Sequence, residues 1–221
     1  YGKLFSCDKC HEFLDVVYDM DSVAEAFSKS QFGKGKTLIE KYSQLLPVKG
    51  TKAPVSLGEG DTPLLASGRL AEALGLKRLY LKDETRNPSG TFKDRSVSVG
   101  VTVARENDVV AVSTASTGNA GASLAAYSAK AGMKCRIIIP ATASPTKLVQ
   151  AMAYGATIIP IQGSVDAALS LLREAYDAWG WYPIPTSGPI NPYQAEGAKT
   201  IAYEISSQLK DQPPDWVFYP I

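Results

Sequence analysis

Histidine is nearly absent from this chain: His11 is the only one, and it lies in the amino-terminal segment. Any Ser-His-Asp or Cys-His mechanism would have to borrow that single ring, so proton transfer falls more naturally to lysine, carboxylates, tyrosine or a cofactor. Cysteine is as sparse. Cys7, Cys10 and Cys135 form an odd set, which speaks against a disulfide framework. No apolar run approaches the ~20 residues of a membrane helix and no signal-peptide pattern begins the chain, so a soluble, cytoplasmic protein is expected. An excess of one charge is also missing, because 23 basic and 22 acidic residues leave a formal +1. With no basic run or Lys/Arg-rich helix, neither nucleic acid nor an anionic membrane is expected as a partner.

What the chain does have is regular alternation. At 221 residues it can bury a sizeable core, though two small domains are equally allowed. From residue 56 onward, the patterning predicts strands near 77–82, 109–114, 134–139, 156–161, 181–185 and 215–219. Helices are predicted near 67–75, 91–105, 118–131, 145–154, 164–179 and 193–209. Runs such as Arg136-Ile137-Ile138-Ile139 are continuously apolar, which suits strands buried on both faces. The fold class expected is therefore α/β with a mainly parallel sheet and flanking helices. Sites in such sheets lie beyond the carboxyl ends of strands.

Two stretches are expected there. In Asn87-Pro88-Ser89-Gly90-Thr91-Phe92-Lys93-Asp94-Arg95, Pro88 and Gly90 end a β-prone run and Ser89 or Thr91 can cap a helix. Lys93 then falls in the first helical turn, where the partial positive charge of the helix end favours the neutral amine, a nucleophile. The plainer alternative pairs Lys93 with Asp94, Asp83 or Glu84 on a solvated turn. The second stretch is Ser113-Thr114-Ala115-Ser116-Thr117-Gly118-Asn119-Ala120-Gly121, between a strand and an Ala-rich helix. Its small residues allow close backbone approach and its helix start presents amides to an anion; a capped helix packed on the sheet is the alternative.

Three further patterns compete for attention. Cys7-Asp8-Lys9-Cys10-His11 has the spacing of a haem attachment, a thioredoxin-like pair or half a zinc ribbon. Haem needs an oxidising compartment and a redox pair needs a βαβ unit, so half a ribbon is the best functional reading. A structural zinc needs four ligands, and only His11 and the distant Cys135 remain, so no metal is expected. Gly33-Lys34-Gly35-Lys36-Thr37 ends like a phosphate loop, but Ser30 stands where its first glycine belongs, and a linker is the simpler account. Ser144-Pro145-Thr146-Lys147 fits S-x-x-K, yet serine before proline is an ordinary helix start.

Taken together, Asp83-Glu84 and Asn-Pro-Ser-Gly-Thr-Phe-Lys-Asp-Arg resemble the cofactor-lysine motif of fold-type II pyridoxal-phosphate (PLP) enzymes, and within them most closely the threonine synthases. Glu59-Gly60-Asp61-Thr62-Pro63-Leu64 and Asn191-Pro192-Tyr193-Gln194-Ala195-Glu196-Gly197-Ala198-Lys199-Thr200 resemble further signatures of that family. Cys7 to Asp19 looks like the second knuckle of the ribbon that opens many archaeal members. The resemblance implies PLP held by Lys93 as a Schiff base, with Phe92 and Asn119 beside the cofactor. It implies a substrate carboxylate gripped by Ser116, Thr117 and Gly118, and a substrate phosphate near Asn191 and Gln194, where many members carry arginine. The implied reaction converts O-phosphohomoserine and water to threonine and phosphate, in a homodimer, with no nucleic acid or membrane partner. A sister enzyme such as a threonine or serine dehydratase or cysteate synthase, or a catalytically silent binding domain, is the alternative. The implied layout is a partial ribbon-like knuckle over 1–20, a helical linker over 21–55, and the amino-terminal portion of the catalytic domain over 56–221. The Gly-rich loop that holds the cofactor phosphate in the family is expected beyond Ile221.

Overall fold

The computed structural model describes residues 6–7, 9–10, 12–28 (backbone only at 26–28), 33–144, 148–185, 190–210 and 212–219. Its centre is a four-stranded sheet of β3 (Ala111–Ala115), β4 (Lys134–Pro140), β5 (Thr157–Ile161) and β6 (Tyr182–Pro183). The spatial order is β5-β4-β3-β6 and every pairing is parallel. Side chains alternate across a strand, so β4 feeds two cores at once. Cys135, Ile137 and Ile139 pack with Leu124, Tyr127 and Val97 on one face, and Ile138 packs with Ala168 and Leu172 on the other. That double burial explains the unbroken isoleucine run.

Helices α4 (Lys93–Glu106), α5 (Asn119–Ala131) and α6 (Val149–Ala153) serve the first core, while α7 (Val165–Trp179) covers the opposite face. Ser164 starts α7 by accepting the Ala167 N–H, and Gly180 ends it in the left-handed region at φ 67°. Helix α4 is buried almost all round because α5 packs on one side and α8 (Pro192–Gln208) on another. The α4–α8 approach is close at Gly197: a Cβ there would sit 2.2 Å from the Arg95 carbonyl oxygen.

Two expectations about strands require correction. Strand β2 (Tyr80–Lys82) does not enter the parallel sheet; it pairs antiparallel with β1 (Leu64–Ala66), just before α3 (Gly68–Ala73). Lys93 therefore follows a 3-10 turn over Glu84–Arg86, not the end of a sheet strand. Residues 215–219 run as coil, with Trp216 and Phe218 more than four-fifths exposed, because no strand offers them a ladder among the described residues.

The amino-terminal stretches are also clearer. Helix α1 (Met20–Ser28) buries Val23, and an antiparallel bridge joins Ser6 to Phe13 around Cys7 and Cys10. His11, the third candidate metal ligand of that knuckle, lies outside the described residues, as do Pro145, Thr146 and Lys147. The stretch read as a linker is packed where it nears α4. Thr37 and Glu40 form a reciprocal capping box on α2 (Leu38–Lys41), and Leu38, Ile39, Tyr42 and Leu46 are buried against Val99 and Val103 of α4. No helix among the described residues is long and apolar enough to cross a membrane.

Candidate active site

Lys93 is the first residue of α4, with Phe92 at the N-cap. Neither Ser89 nor Thr91 occupies the cap position expected from sequence. The Thr91 hydroxyl instead accepts the Lys93 N–H at 3.3 Å, and Ser89 turns to Asp94. Gly90 makes the turn before the helix at φ 78°, a conformation that only glycine adopts without strain.

The carboxylates that might have neutralised Lys93 are committed elsewhere. Asp83 accepts from Thr85, Glu84 from Arg95, Thr62 and Asn87, and Asp94 from Ser89 and Ser123. Among the described residues no ion pair reaches the Lys93 amine, which stands 4.5 Å from the Phe92 ring centroid. Phe92 in turn meets the edge of Tyr219 at 5.5 Å. Partial burial pushes the amine below its ordinary pKa. The ion pair that the solvated-turn alternative calls for is thus not seen among the described residues.

The second stretch lies at the carboxyl end of β3. Ser116, Thr117 and Gly118 are half-buried, Asn119 is exposed, and Gly118 caps α5 with no side-chain hydrogen bond to the helix amides. A Cβ on Gly118 would meet nothing within 4 Å, so the loop faces open space, whereas one on Gly121 would press on the Ser116 carbonyl oxygen at 3.0 Å. The glycines thus divide the work: one leaves the helix amides accessible and the other lets α5 close on its own loop. The two stretches are tied together by a bond from the Ser123 hydroxyl to Asp94, 2.6 Å long. Ser123 is one helical turn past Asn119 and Asp94 is next to Lys93.

Asn191 and Gln194 are engaged at the start of α8. Asn191 caps α8 by accepting the Tyr193 and Gln194 N–H groups, and donates to the Pro183 carbonyl at 2.8 Å. Gln194 is buried, donates to the Pro185 carbonyl, and lies against Gly100, two turns along α4 from Lys93 and so about 10 Å away. Its Oε1 has no partner among the described residues. Lys199 pairs with Glu196 at 2.7 Å, and Glu196 also accepts from Tyr18 at 3.1 Å.

Sequence reasoning missed the scaffold behind Lys93. Arg95, fully buried, bonds Glu84, Glu204, Thr62 and Thr200, and Glu204 also pairs with Lys82 at 2.8 Å. Burial alone would raise Glu204, but Arg95 and Lys82 outweigh it and bring its pKa down to about 2. Ser123 was also missed, though its four-residue spacing from Asn119 is a signal that the two share a face of α5.

An amine with no ion pair among the described residues, an amide at the start of α5 and an open set of helix-end N–H groups are suited to an aldehyde, a phenolic oxygen and an anion respectively. These residues fit PLP. Comparison with known proteins agrees. The threonine synthase of Methanocaldococcus jannaschii is 42% identical over 219 residues, covering 99% of this chain and 53% of that protein. That of Methanosarcina acetivorans is 42% identical over 222 residues, with 99% and 52% covered. The chain spans about half the length of these curated relatives. Maize serine racemase superposes with a TM-score of 0.64 at 25% identity, over 89% of this chain and 51% of the other. Residues 55–221 match the family described as pyridoxal-phosphate dependent enzyme, and the chain belongs to that family, with a fold-type II architecture and PLP as its cofactor.

Proposed function

We propose that this chain provides the lysine-bearing part of a threonine synthase, which converts O-phosphohomoserine and water to L-threonine and phosphate. The observation that carries the reading is a match to threonine synthases along 99% of the chain, joined to a Lys93 amine with no ion-pair partner among the described residues. PLP, when bound, supplies the electron sink for carbanion chemistry at the substrate. Lys93 is the amine that holds the cofactor and, once released by the substrate's own amine, moves protons at the α, β and γ carbons; its lowered pKa suits it to act as a base. Asn119 orients the ring through its amide. Ser116, Thr117 and Gly118 offer hydroxyls and helix-end amides to the substrate carboxylate. Phe92 shields one side of the amine from water. A homodimer is part of the same proposal.

The test is sequential. Adding PLP to the purified protein should produce a visible absorption band that Lys93→Ala abolishes, and wild type should then release phosphate from O-phosphohomoserine. Without a band in the full-length protein, the assignment of Lys93 fails; a band missing only from these 221 residues supports a catalytically silent fragment. With a band but no phosphate release, a sister reaction of the fold, such as a dehydratase or cysteate synthase, takes precedence. The observation favouring that second reading is Gln194: it is neutral, buried and bonded to the Pro185 carbonyl, so it offers no charged grip on a phosphate.

A further inference from the structure

Asp94 is a carboxylate in a place that no solvent reaches, and among the described residues no cation pairs with it. It accepts the Ser89 N–H at 2.7 Å, the Ser89 hydroxyl, and the Ser123 hydroxyl at 2.6 Å. Burying a lone carboxylate is costly, a cost partly offset by charge-assisted hydrogen bonds and by the amides at the start of α4. Packing alone would be served as well by an apolar side chain. What the carboxylate adds is direction, because its donors come from two sides. Ser89 belongs to the loop that delivers Lys93, and Ser123 belongs to α5.

A second bond repeats the pattern one turn further along α5. Tyr127 donates to Glu59 at 2.8 Å, and the same Glu59 oxygen accepts from Ser56 and the Leu57 N–H, each at 3.0 Å. The Glu59 loop is joined to the lysine loop, since the Gly60 N–H donates to Asn87 Oδ1 at 3.0 Å. Asn119, Ser123 and Tyr127 thus form one stripe at four-residue spacing. Its upper end opens on the site, and its lower two members hold Asp94 and the Glu59 loop.

We propose that Ser123 is a positioning residue for Lys93: by holding Asp94, it locks the start of α4 to the start of α5 and so sets where the lysine amine stands relative to Asn119. This rests on the reading of Lys93 as the cofactor-holding amine. Ser123 supplies the side-chain bond from α5 to Asp94, whereas the hydroxyl of Ser128 on the same helix is spent on the Leu124 carbonyl at 2.6 Å. Ser128 is therefore a control of matched burial. Asp94 and Arg95, which follow Lys93, the Asp83-Glu84 pair upstream and Tyr219 on the Phe92 ring keep their identity in both variants.

The experiment compares wild type, Ser123→Ala and Ser128→Ala as full chains. Each is treated with trinitrobenzenesulfonate across a pH series, with modification of Lys93 followed by peptide mass. PLP uptake is read in parallel as borohydride-fixed cofactor on Lys93. In Ser123→Ala, the midpoint of Lys93 modification should rise toward that of an ordinary lysine by about half a unit, a threefold change in free amine at fixed pH. PLP uptake should fall in step, with Ser128→Ala matching wild type in both. An unmoved midpoint and unchanged uptake in Ser123→Ala would overturn the proposal, as would equal changes in Ser128→Ala, which would mark mere loosening of α5. If the full-length wild type itself takes up no PLP, the reading of Lys93 fails while the midpoints still decide the role of Ser123.

Discussion

Arg95 on α4 and Glu204 on α8 meet through two side-by-side hydrogen bonds, Nη1 to Oε1 at 2.7 Å and Nη2 to Oε2 at 2.8 Å, in the interior of the protein. The same guanidinium meets Glu84 through Nε at 2.7 Å and Nη2 at 2.8 Å. Lys82 then joins Glu204, so two cations answer two carboxylates. This is how residues more than one hundred positions apart hold the turn that begins with Lys93. The Glu-Gly-Asp-Thr loop belongs to the same assembly, since Thr62 donates to Glu84 and Glu204 accepts the Asp61 N–H.

Breaking one member should be costly because the others stay buried. Arg95→Met keeps much of the volume but strands Glu84 and Glu204 with Lys82 alone. A loss of about 3–5 kcal/mol is expected, read as a lower urea midpoint at neutral pH.

The same assembly sets an acid limit on stability. Glu204 titrates at about 2 when folded, below its ordinary 4.5, so the folded state binds fewer protons than the unfolded state between those values. The contribution is complete above about 4.5 and is lost as pH falls through 2. Urea midpoints should therefore decline over that window, and in Glu204→Gln the decline should be shallower, from a lower starting value. A decline of equal steepness in the variant would show that other carboxylates dominate acid unfolding.

Gly197 gives a steric test of the α4–α8 contact. Adding a methyl there meets the Arg95 carbonyl oxygen at 2.2 Å, and backbone cannot step aside as a side-chain tip can. Gly197→Ala should cost about 1–3 kcal/mol or more through forced helix separation, outweighing the ~1 kcal/mol that alanine gains over glycine within a helix. Thermal unfolding decides it: a raised midpoint would mean that the helices pack less closely than described.

The positions of Lys93 and the Gly118-Asn119 loop were legible in the sequence because each is written locally, as a Pro88-Gly90 break or a small-residue run followed by a helical period. Burial of β4 on both faces was legible for the same reason. The Arg95 assembly was not, since its partners Thr62, Glu84 and Glu204 share no local spacing and only the fold brings them together. The pairing of Tyr80–Lys82 was misjudged because an apolar run reports burial and says nothing of which strand will lie beside it; its partner, Leu64–Ala66, is only three residues long. Residues 215–219 have strand composition, yet a ladder needs a neighbour as well as a propensity. Asn191 and Gln194 were legible as a motif, but a motif does not reveal that their amides face the Pro183 and Pro185 carbonyls.

A site that holds a reactive amine should be less stable than the fold would otherwise allow, and Lys93 makes that measurable. Burial lowers its pKa from the ordinary 10.5, so keeping it protonated penalises the folded state. The penalty is full below the folded-state value and vanishes as pH rises toward 10.5. Lys93→Met keeps the length and apolar stem of the side chain but removes the charge. Without PLP, it should raise the unfolding temperature at pH 7, and the gain should shrink as pH approaches 10. A lysine that served the fold through an ion pair would behave in the opposite way, its loss lowering the midpoint at pH 7. Scanning calorimetry at pH 7 and pH 10 on the two proteins therefore separates an amine held ready for chemistry from one that merely steadies a turn.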